Sequence, residues 1–352
     1  MEKVLKFYLD NKSKFHIGDN KDGLKEIFSS DQLYSALINK LAILYPERLV
    51  ELIEKFNQNN RLSSMFYGLR FEKEGNEDAE EIFFLSKPYA PLITKTEDIQ
   101  TRKLLKKVKY ISTAAITEIL LSWDKESKYF NVRDLEFETI SNKFLLLKKE
   151  LTNKNIKSTK LQELKFIKHN DRPRISIDRY TNKSEQFFYQ KNIEFQYQKT
   201  GEFIIKPFIY SIISGSLDDE FIAAIRLLAD EGIGGKRSSG LGIFKHFEID
   251  NTDLLNLKLN QTGDYYLSLA TLFPDEKETK SILNYDLEKR SGYIYSKGGV
   301  AMRKKSVRVI REGAIFEDKI NGQVFNLAPE AYNEHPVYLF GKALSISFGG
   351  DN

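Results

Sequence analysis

One stretch constrains this chain more than any other: Gly232-Ile-Gly-Gly-Lys-Arg-Ser-Ser-Gly-Leu-Gly242. It follows the run Asp218 to Glu231, where Phe221, Ile225 and Leu228 recur at helical spacing and Ser216 or Asp218 can cap the start. It leads into a strand-like run, Ile243 to Ile249. Gly232 suits the left-handed residue that commonly ends a helix. Gly232, Gly234, Gly235, Gly240 and Gly242 allow positive φ and close backbone approach, while Lys236, Arg237, Ser238 and Ser239 supply cationic and hydroxyl donors. The helix, loop and strand together are suited to hold a phosphate backbone. A plain helix cap with a tight turn is the alternative.

The rest of the chain reads as an α+β protein. Lys3 to Ile17 carries strand-like alternation, and Ser29 to Leu41 switches to helical spacing. Leu33, Leu37, Leu41 and Leu44 form one face there, with Ser30 or Asp31 as the cap. Strands are expected over Met65 to Glu72 and Glu81 to Leu85, before Lys87-Pro-Tyr-Ala-Pro breaks regular structure. A lysine-rich insertion is expected at about 95–200, then a buried strand or pair of strands over Phe203 to Ile213. After Asn251 the order of a strand and a charged segment repeats, with Asp264 to Phe273 followed by Asp275 to Lys280. Further strands are expected at Gly292 to Tyr295, Ser306 to Arg311, Gly313 to Phe316 and Ala343 to Phe348. The expected organisation is therefore an N-terminal unit over 1–250 holding the insertion, and a C-terminal unit over 251–352.

At 352 residues, 41% hydrophobic and 30% charged, the chain has the composition of a globular protein. Its net charge of +4 permits an anionic partner without demanding one. With no cysteine, disulfides, thiolate metal sites and cysteine nucleophiles are excluded, and a reducing cytoplasm is the expected home. No apolar leader or membrane span is expected from the hydropathy.

Seven further stretches carry a family resemblance: Phe15-His-Ile-Gly18, Ser30-Asp-Gln-Leu-Tyr-Ser-Ala-Leu37, Phe84-Leu-Ser-Lys-Pro-Tyr89, Ile177-Asp-Arg-Tyr-Thr181 after Arg172-Pro-Arg174, Arg303-Lys-Lys-Ser-Val-Arg308, Glu312-Gly-Ala-Ile-Phe316 and His335-Pro-Val-Tyr-Leu-Phe-Gly341. With the glycine-rich loop, they resemble the RAMP superfamily of CRISPR proteins, and within it the fourth subunit of the type III-A Csm effector complex. The family usually has His-Ser-Asp-Thr at its first helix, where this chain has Ser29-Ser-Asp-Gln32. The resemblance implies two ferredoxin-like, RRM-like domains with a glycine-rich loop and a large insertion. It implies an RNA-binding structural subunit that holds the repeat-derived 5′ handle of the crRNA. The implied partners are the large cyclase-polymerase subunit and a backbone RAMP subunit, with no cofactor and no membrane. A thumb hairpin lying across the guide RNA is expected inside the insertion.

Three groups of candidate RNA-binding residues follow. The first is the glycine-rich loop. The second is Arg172, Arg174, Arg179 and Tyr180 with Asp178, a basic and aromatic stretch suited to stacking and phosphate contact on a single strand. A solvated hairpin with an Asp178–Arg179 pair is the alternative. The third is Arg303, Lys304 and Lys305, with Arg308 and Arg311, for which a protein interface competes with RNA. Asp31 is expected to cap a helix rather than hold a catalytic metal. His16 is expected to be structural or RNA-contacting rather than a general acid or base. His169, His246 and His335 fall in no motif, and Gly349-Gly350-Asp351-Asn352 resembles a polymerase GGDD motif only superficially. No catalytic residue is assigned. The rival readings are an endoribonuclease that processes precursor crRNA through His16, and a backbone subunit that cleaves target RNA through Asp31.

Overall fold

Alternation along the first strand, β1 (Glu2–Tyr8), sets the layers. Leu5 and Phe7 enter one apolar cluster with the helices, while Val4 and Tyr8 enter another on the opposite face. A computed structural model of the chain describes residues 2–19, 23–73, 75, 79–95, 98–154, 156–181, 183–259, 261–294 and 302–349. After β1 come the helices α1 (Ser30–Leu44) and α2 (Leu49–Asn59) and the strands β2 (Phe66–Lys73) and β3 (Ala79–Ser86). Next are α3 (Ile99–Lys107), β4 (Tyr110–Ser112), α4 (Thr113–Leu121), β5 (Phe137–Ile140) and β6 (Phe144–Leu147). A long hairpin follows, β7 (Ile167–Ile177) and β8 (Ser184–Phe195), then β9 (Phe203–Ser214), α5 (Asp219–Glu231) and β10 (His246–Asn251).

These strands form a sheet in the order β5-β6-β4-β3-β2-β9-β1-β10. Within it, β2, β9, β1 and β10 pair antiparallel. In chain order the unit reads β1-α1-β2-β9-α5-β10, the split βαβ arrangement, interrupted between β2 and β9. The interruption spans residues 74–202, wider than the expected insertion, because β3 folds straight back on β2. The lysine-rich segment is built into the protein. Its strands β4, β6 and β5 lengthen the sheet, and its amphipathic α4 packs Ala115, Ile116 and Ile119 against it.

Helix α1 buries Leu33, Leu37 and Leu41, but Leu44 is exposed, since the last turn runs past the apolar layer and Pro46 stops it. Its N-cap is Ser29, one residue before the expected caps, with Gln32 Oε1 accepting the Ser29 N–H at 3.2 Å. Helix α5 has Asp218 as its N-cap residue and buries Phe221, Ile225 and Leu228 as expected. The strand expected from Ile243 begins only at His246, after Ile243 has turned out to solvent.

Beyond β10 the described residues form strands and 3₁₀ turns, with no α-helix among them. A small sheet joins β11 (Tyr265–Ser268), Ile282–Asn284, Ile315–Phe316 and Ser345–Phe348. A separate ribbon pairs β12 (Leu287–Arg290) with β13 (Val307–Ile310). The charged run Asp275 to Lys280 does not become a helix, so the element order of the N-terminal unit is not repeated there. Asp275 Oδ1 accepts the N–H groups of Lys277 and Glu278, but no apolar stripe follows to bury a longer helix. Instead it closes as a turn over Glu278–Ser281.

The C-terminal strands cover the sheet face opposite α1 and α5. Leu267, Leu269, Ile315, Leu344, Ile346 and Phe348 pack there with Val4, Phe66, Phe208 and Ile212. The seam is also hydrogen-bonded. Ser64 donates its backbone N–H to the Leu269 carbonyl at 2.9 Å, and Thr271 donates its own to Ser30 Oγ at 2.9 Å.

Candidate nucleic-acid interface

The glycine-rich loop is closed by its own backbone. Gly232 N–H donates to the Leu228 carbonyl at 2.8 Å to end α5, and Ile233 N–H donates to the Gly242 carbonyl at 3.0 Å. The loop is then tied to the segment after β1. Gly235 N–H donates to the His16 carbonyl at 2.8 Å, and Gly242 N–H donates to the Lys14 carbonyl at 2.7 Å. At Gly234, with φ of 78°, a Cβ would lie 2.6 Å from the His16 carbonyl oxygen, and at Gly242 one would lie 1.9 Å from the Ile233 carbonyl oxygen. Close approach, which the sequence suggests toward a phosphate, is at these positions an approach to the protein's own backbone. Gly240 differs, with open space where a Cβ would be.

With the glycines holding the loop down, Lys236, Arg237, Ser238 and Ser239 are left at its exposed tip. Lys236 itself takes the left-handed conformation, φ 61°. Glu231, at the end of α5, pairs with Lys40 and lies 3.5 Å from Arg237 Nη1. That pairing orients the guanidinium beside the tip.

His16 is the pivot between the loop and the hairpin. Its side chain is buried, with Nδ1 2.8 Å from the Lys191 carbonyl oxygen of β8. The short strand Lys14–Phe15 pairs with β8 through Phe15 and Ile193, and Lys14 Nζ lies 3.3 Å from Glu194. Loop and hairpin base are thus one continuous surface. Arg179 and Tyr180 are exposed at the hairpin tip, Arg172 is exposed midway along β7 opposite Gln190, and Arg174 Nε donates to Gln190 Oε1 at 3.1 Å. Asp178 shapes the tip, accepting the Tyr180 N–H at 2.9 Å and the Thr181 hydroxyl at 2.7 Å.

The third group stands one layer away. Arg303 lies over the Tyr293 ring at 5.4 Å from its centroid, and Lys305 is exposed. Lys304 is half-buried, and burial pulls its ammonium pKa down. Arg303, Lys304 and Lys305 precede β13, whose pairing begins at Val307, and Arg308 lies on it. A chain of contacts joins this region to the loop. Lys25 N–H donates to the Ile17 carbonyl at 3.0 Å, the Lys25 ammonium pairs with Glu288 of β12, and Glu288 Oε2 lies 2.7 Å from Arg290 Nη1.

Arg290 ends in a feature the sequence does not announce. Its Nε and Nη2 donate to the two oxygens of Asp31 at 2.6 and 3.0 Å, and Nη2 donates to Ser29 Oγ at 3.0 Å. Both side chains are buried. Burial disfavours the Asp31 carboxylate, but the Arg290 charge and the hydrogen bonds from Arg290 and Ser29 outweigh it and hold its pKa below the usual range. Asp31 is therefore neither the cap of α1 nor an open carboxylate. It locks the start of α1 to the C-terminal ribbon.

The sheet face that stacks bases in RRM domains is closed here. Part lies under the C-terminal strands. On the rest, Lys6 Nζ sits 3.1 Å from Glu81 and 2.6 Å from Asp250, Tyr8 donates to Glu81 at 2.7 Å, and His246 stacks on Tyr8 with centroids 4.3 Å apart. The loop, the hairpin and the basic ribbon each present exposed cations to an anionic chain. The tail residues Gly350, Asp351 and Asn352 of the GGDD-like sequence lie outside the described residues.

Comparison with known proteins agrees with this architecture. The family of the CRISPR Csm4 C-terminal domain matches residues 261–348. A Methanocaldococcus jannaschii protein described as "CRISPR system Cms protein Csm4" is 30% identical over 376 residues, covering 96% of this chain and 95% of that protein. A Thermococcus onnurineus protein with the same description is 25% identical over 324 residues, covering 91% of each. Among solved structures, the chain is similar to one in the Csm3-Csm4 subcomplex of a type III-A CRISPR-Cas interference complex, with TM-score 0.66, 24% identity, and coverage of 99% of this chain and 100% of that one. It is also similar to one in a Csm1-Csm4 cassette in complex with cA4, with TM-score 0.56, 17% identity and full coverage of both. At these identities the solved structures establish the fold. No helix among the described residues is long and apolar enough to cross a membrane.

Proposed function

This chain belongs to the Csm4 family of CRISPR proteins, and we propose that it is the subunit that holds the repeat-derived 5′ handle of the crRNA in a type III-A effector complex. The observation that carries this reading is the continuous surface made by the glycine-rich loop, His16 and the hairpin base, with Lys236 and Arg237 at its exposed edge. Phosphate contacts of this kind fix an RNA strand without reading its bases. In this reading the chain joins the large cyclase-polymerase subunit to the first backbone RAMP subunit. The Csm1-Csm4 and Csm3-Csm4 pairings of the structurally similar proteins support those two partners. The β7–β8 hairpin is the candidate for a thumb across the guide, and the cysteine-free composition suits a cytoplasmic complex.

The same reading makes the chain a scaffold and not a nuclease. The bidentate pairing of Asp31 with Arg290 and the buried His16 ring, bonded to a main-chain carbonyl, support structural roles for both candidate catalytic residues. A ferredoxin-like description suits the β1-α1-β2-β9-α5-β10 unit, and we extend it to the C-terminal strands as a reduced relative with no α-helix among the described residues.

The test is a titration of the chain with labelled single-stranded RNA, with and without a 5′ handle, over a range of salt. Wild type should prefer the handle-bearing RNA. Lys236→Ala with Arg237→Ala should weaken binding and flatten the log K against log salt slope by about 1.4, at about 0.7 per lost phosphate contact. Equal affinity and slope in the variant would refute a phosphate-holding loop.

A further inference from the structure

The β7–β8 hairpin has two unlike faces. His169, Asp171, Pro173 and Ile175 lie opposite Ile193, Lys191, Tyr189 and Phe187, so alternation puts these on one side. Arg172 and Arg174 lie on the other. The first face is apolar and aromatic toward the tip: Ile175, Phe187 and Tyr189 are each more than half exposed, and the Phe187 and Tyr189 rings meet edge-on at 5.2 Å. Asp171 stands opposite Lys191 in the register.

At the foot of this face stands a charged group that none of the candidate RNA contacts includes. Glu26, 9% exposed, accepts four donors, two on each oxygen. Tyr110 OH and Lys109 Nζ reach Oε2 at 2.8 and 3.1 Å, while His169 Nε2 and Lys143 Nζ lie 2.9 and 3.2 Å from Oε1. Burial disfavours the Glu26 carboxylate, yet Lys143 and Lys109, with the hydrogen bonds from His169 and Tyr110, hold its pKa down at about 2. Lys109 N–H donates to the Lys143 carbonyl at 2.9 Å, so the main chain sets the two lysines side by side. Each ammonium has three donors and gives one to Glu26. The Lys109 side chain is 53% exposed and that of Lys143 31%. Among the described residues, Glu26 is the acidic partner of both ammonium groups, which leaves the cluster with a net positive charge. An anion on their outer side would relieve the repulsion between them.

We propose that Lys109 and Lys143, positioned by Glu26, form a phosphate-binding site for single-stranded RNA passing along the aromatic face of the hairpin. The side chains are already ordered by the buried carboxylate, so binding an RNA phosphate costs little further rotamer entropy. Exposed rings followed by fixed cations are the combination that binds a single strand without sequence preference. This rests on the RNA-binding reading above and adds a second point on the path, in the insertion and away from the glycine-rich loop.

The test compares the full chain with the triple variant Glu26→Gln, Lys109→Gln, Lys143→Gln, which removes both cations without leaving a buried carboxylate unpaired. The probe is single-stranded RNA titrated at several salt concentrations, with a thermal melt to establish folding. The slope of log K against log salt should flatten by about 1.4 for two lost phosphate contacts, and this loss should add to that of the Lys236→Ala, Arg237→Ala variant. Lys109→Arg with Lys143→Arg, which keeps both charges, should retain the wild-type slope. A folded triple variant with the wild-type slope would overturn this site alone. A wild-type chain that binds no RNA would overturn it together with the reading it rests on.

Discussion

Replacing Asp31 by asparagine separates two accounts of that residue by a large margin. If Asp31 capped α1, the change would cost almost nothing, because asparagine caps about as well as aspartate. The structure assigns the cap to Ser29 and gives Asp31 a bidentate pair with Arg290, each side chain no more than 7% exposed. Removing one member of such a pair leaves the other charge buried, at a cost of about 3–5 kcal/mol. Glu288, 2.7 Å from Arg290 Nη1 but without hydrogen-bond geometry, remains as a partial counter-charge and places the value near the lower end, about 3 kcal/mol. Urea denaturation of Asp31→Asn at neutral pH should show that loss. Asp31→Leu with Arg290→Met, which removes both charges, should recover most of it. The pH dependence has a defined sign. Because the folded Asp31 pKa is lowered from 3.8, its contribution is complete above that value and is lost as pH falls below it, so the gap between wild type and Asp31→Asn should close in acid. A loss below about 1 kcal/mol at neutral pH would refute the buried-pair argument.

Two further outcomes follow from the same geometry. Gly234→Ala should destabilise the chain by more than Gly240→Ala: both have positive φ, but only the first would drive a Cβ to 2.6 Å from the His16 carbonyl oxygen. Equal melting temperatures for the two variants would contradict the packing described for the loop. Glu26→Gln should remove a stability contribution that is present above about pH 4.5 and lost as pH falls toward 2, with wild type and variant converging in acid denaturation. Parallel acid-denaturation curves, with no convergence, would contradict the ion cluster.

The sequence revealed most where apolar period and backbone chemistry agree. Phe221, Ile225 and Leu228 ending at Gly232 mark a helix and its stop, and the structure has both. Leu49, Leu52, Ile53 and Phe56 have the same kind of spacing, with Glu51, Glu54 and Lys55 between them, and form the amphipathic α2, whose signal was there to be read. The insertion was hard to read because its sheet strands are short, Tyr110–Ser112 and Phe144–Leu147, and gain stability from neighbours distant in sequence. For the candidate interface, the exposed cations of the loop were legible. The packing role of its glycines, the His16 link to Lys191, the Arg290 lock and the Glu26 cluster depend on contacts between residues up to 259 positions apart. No local pattern encodes them.

The central claim is that the glycine-rich loop and hairpin base hold the crRNA handle. It is tested most directly by assembling the complex around a crRNA with a photoreactive uridine in its 5′ handle, cross-linking, and mapping the adducts on this chain by mass spectrometry. The account predicts adducts within residues 232–242 and on the hairpin from its base to Arg172 and Arg174. Adducts absent from this chain, or confined to the ion-paired sheet face around Lys6 and Glu81, would contradict it.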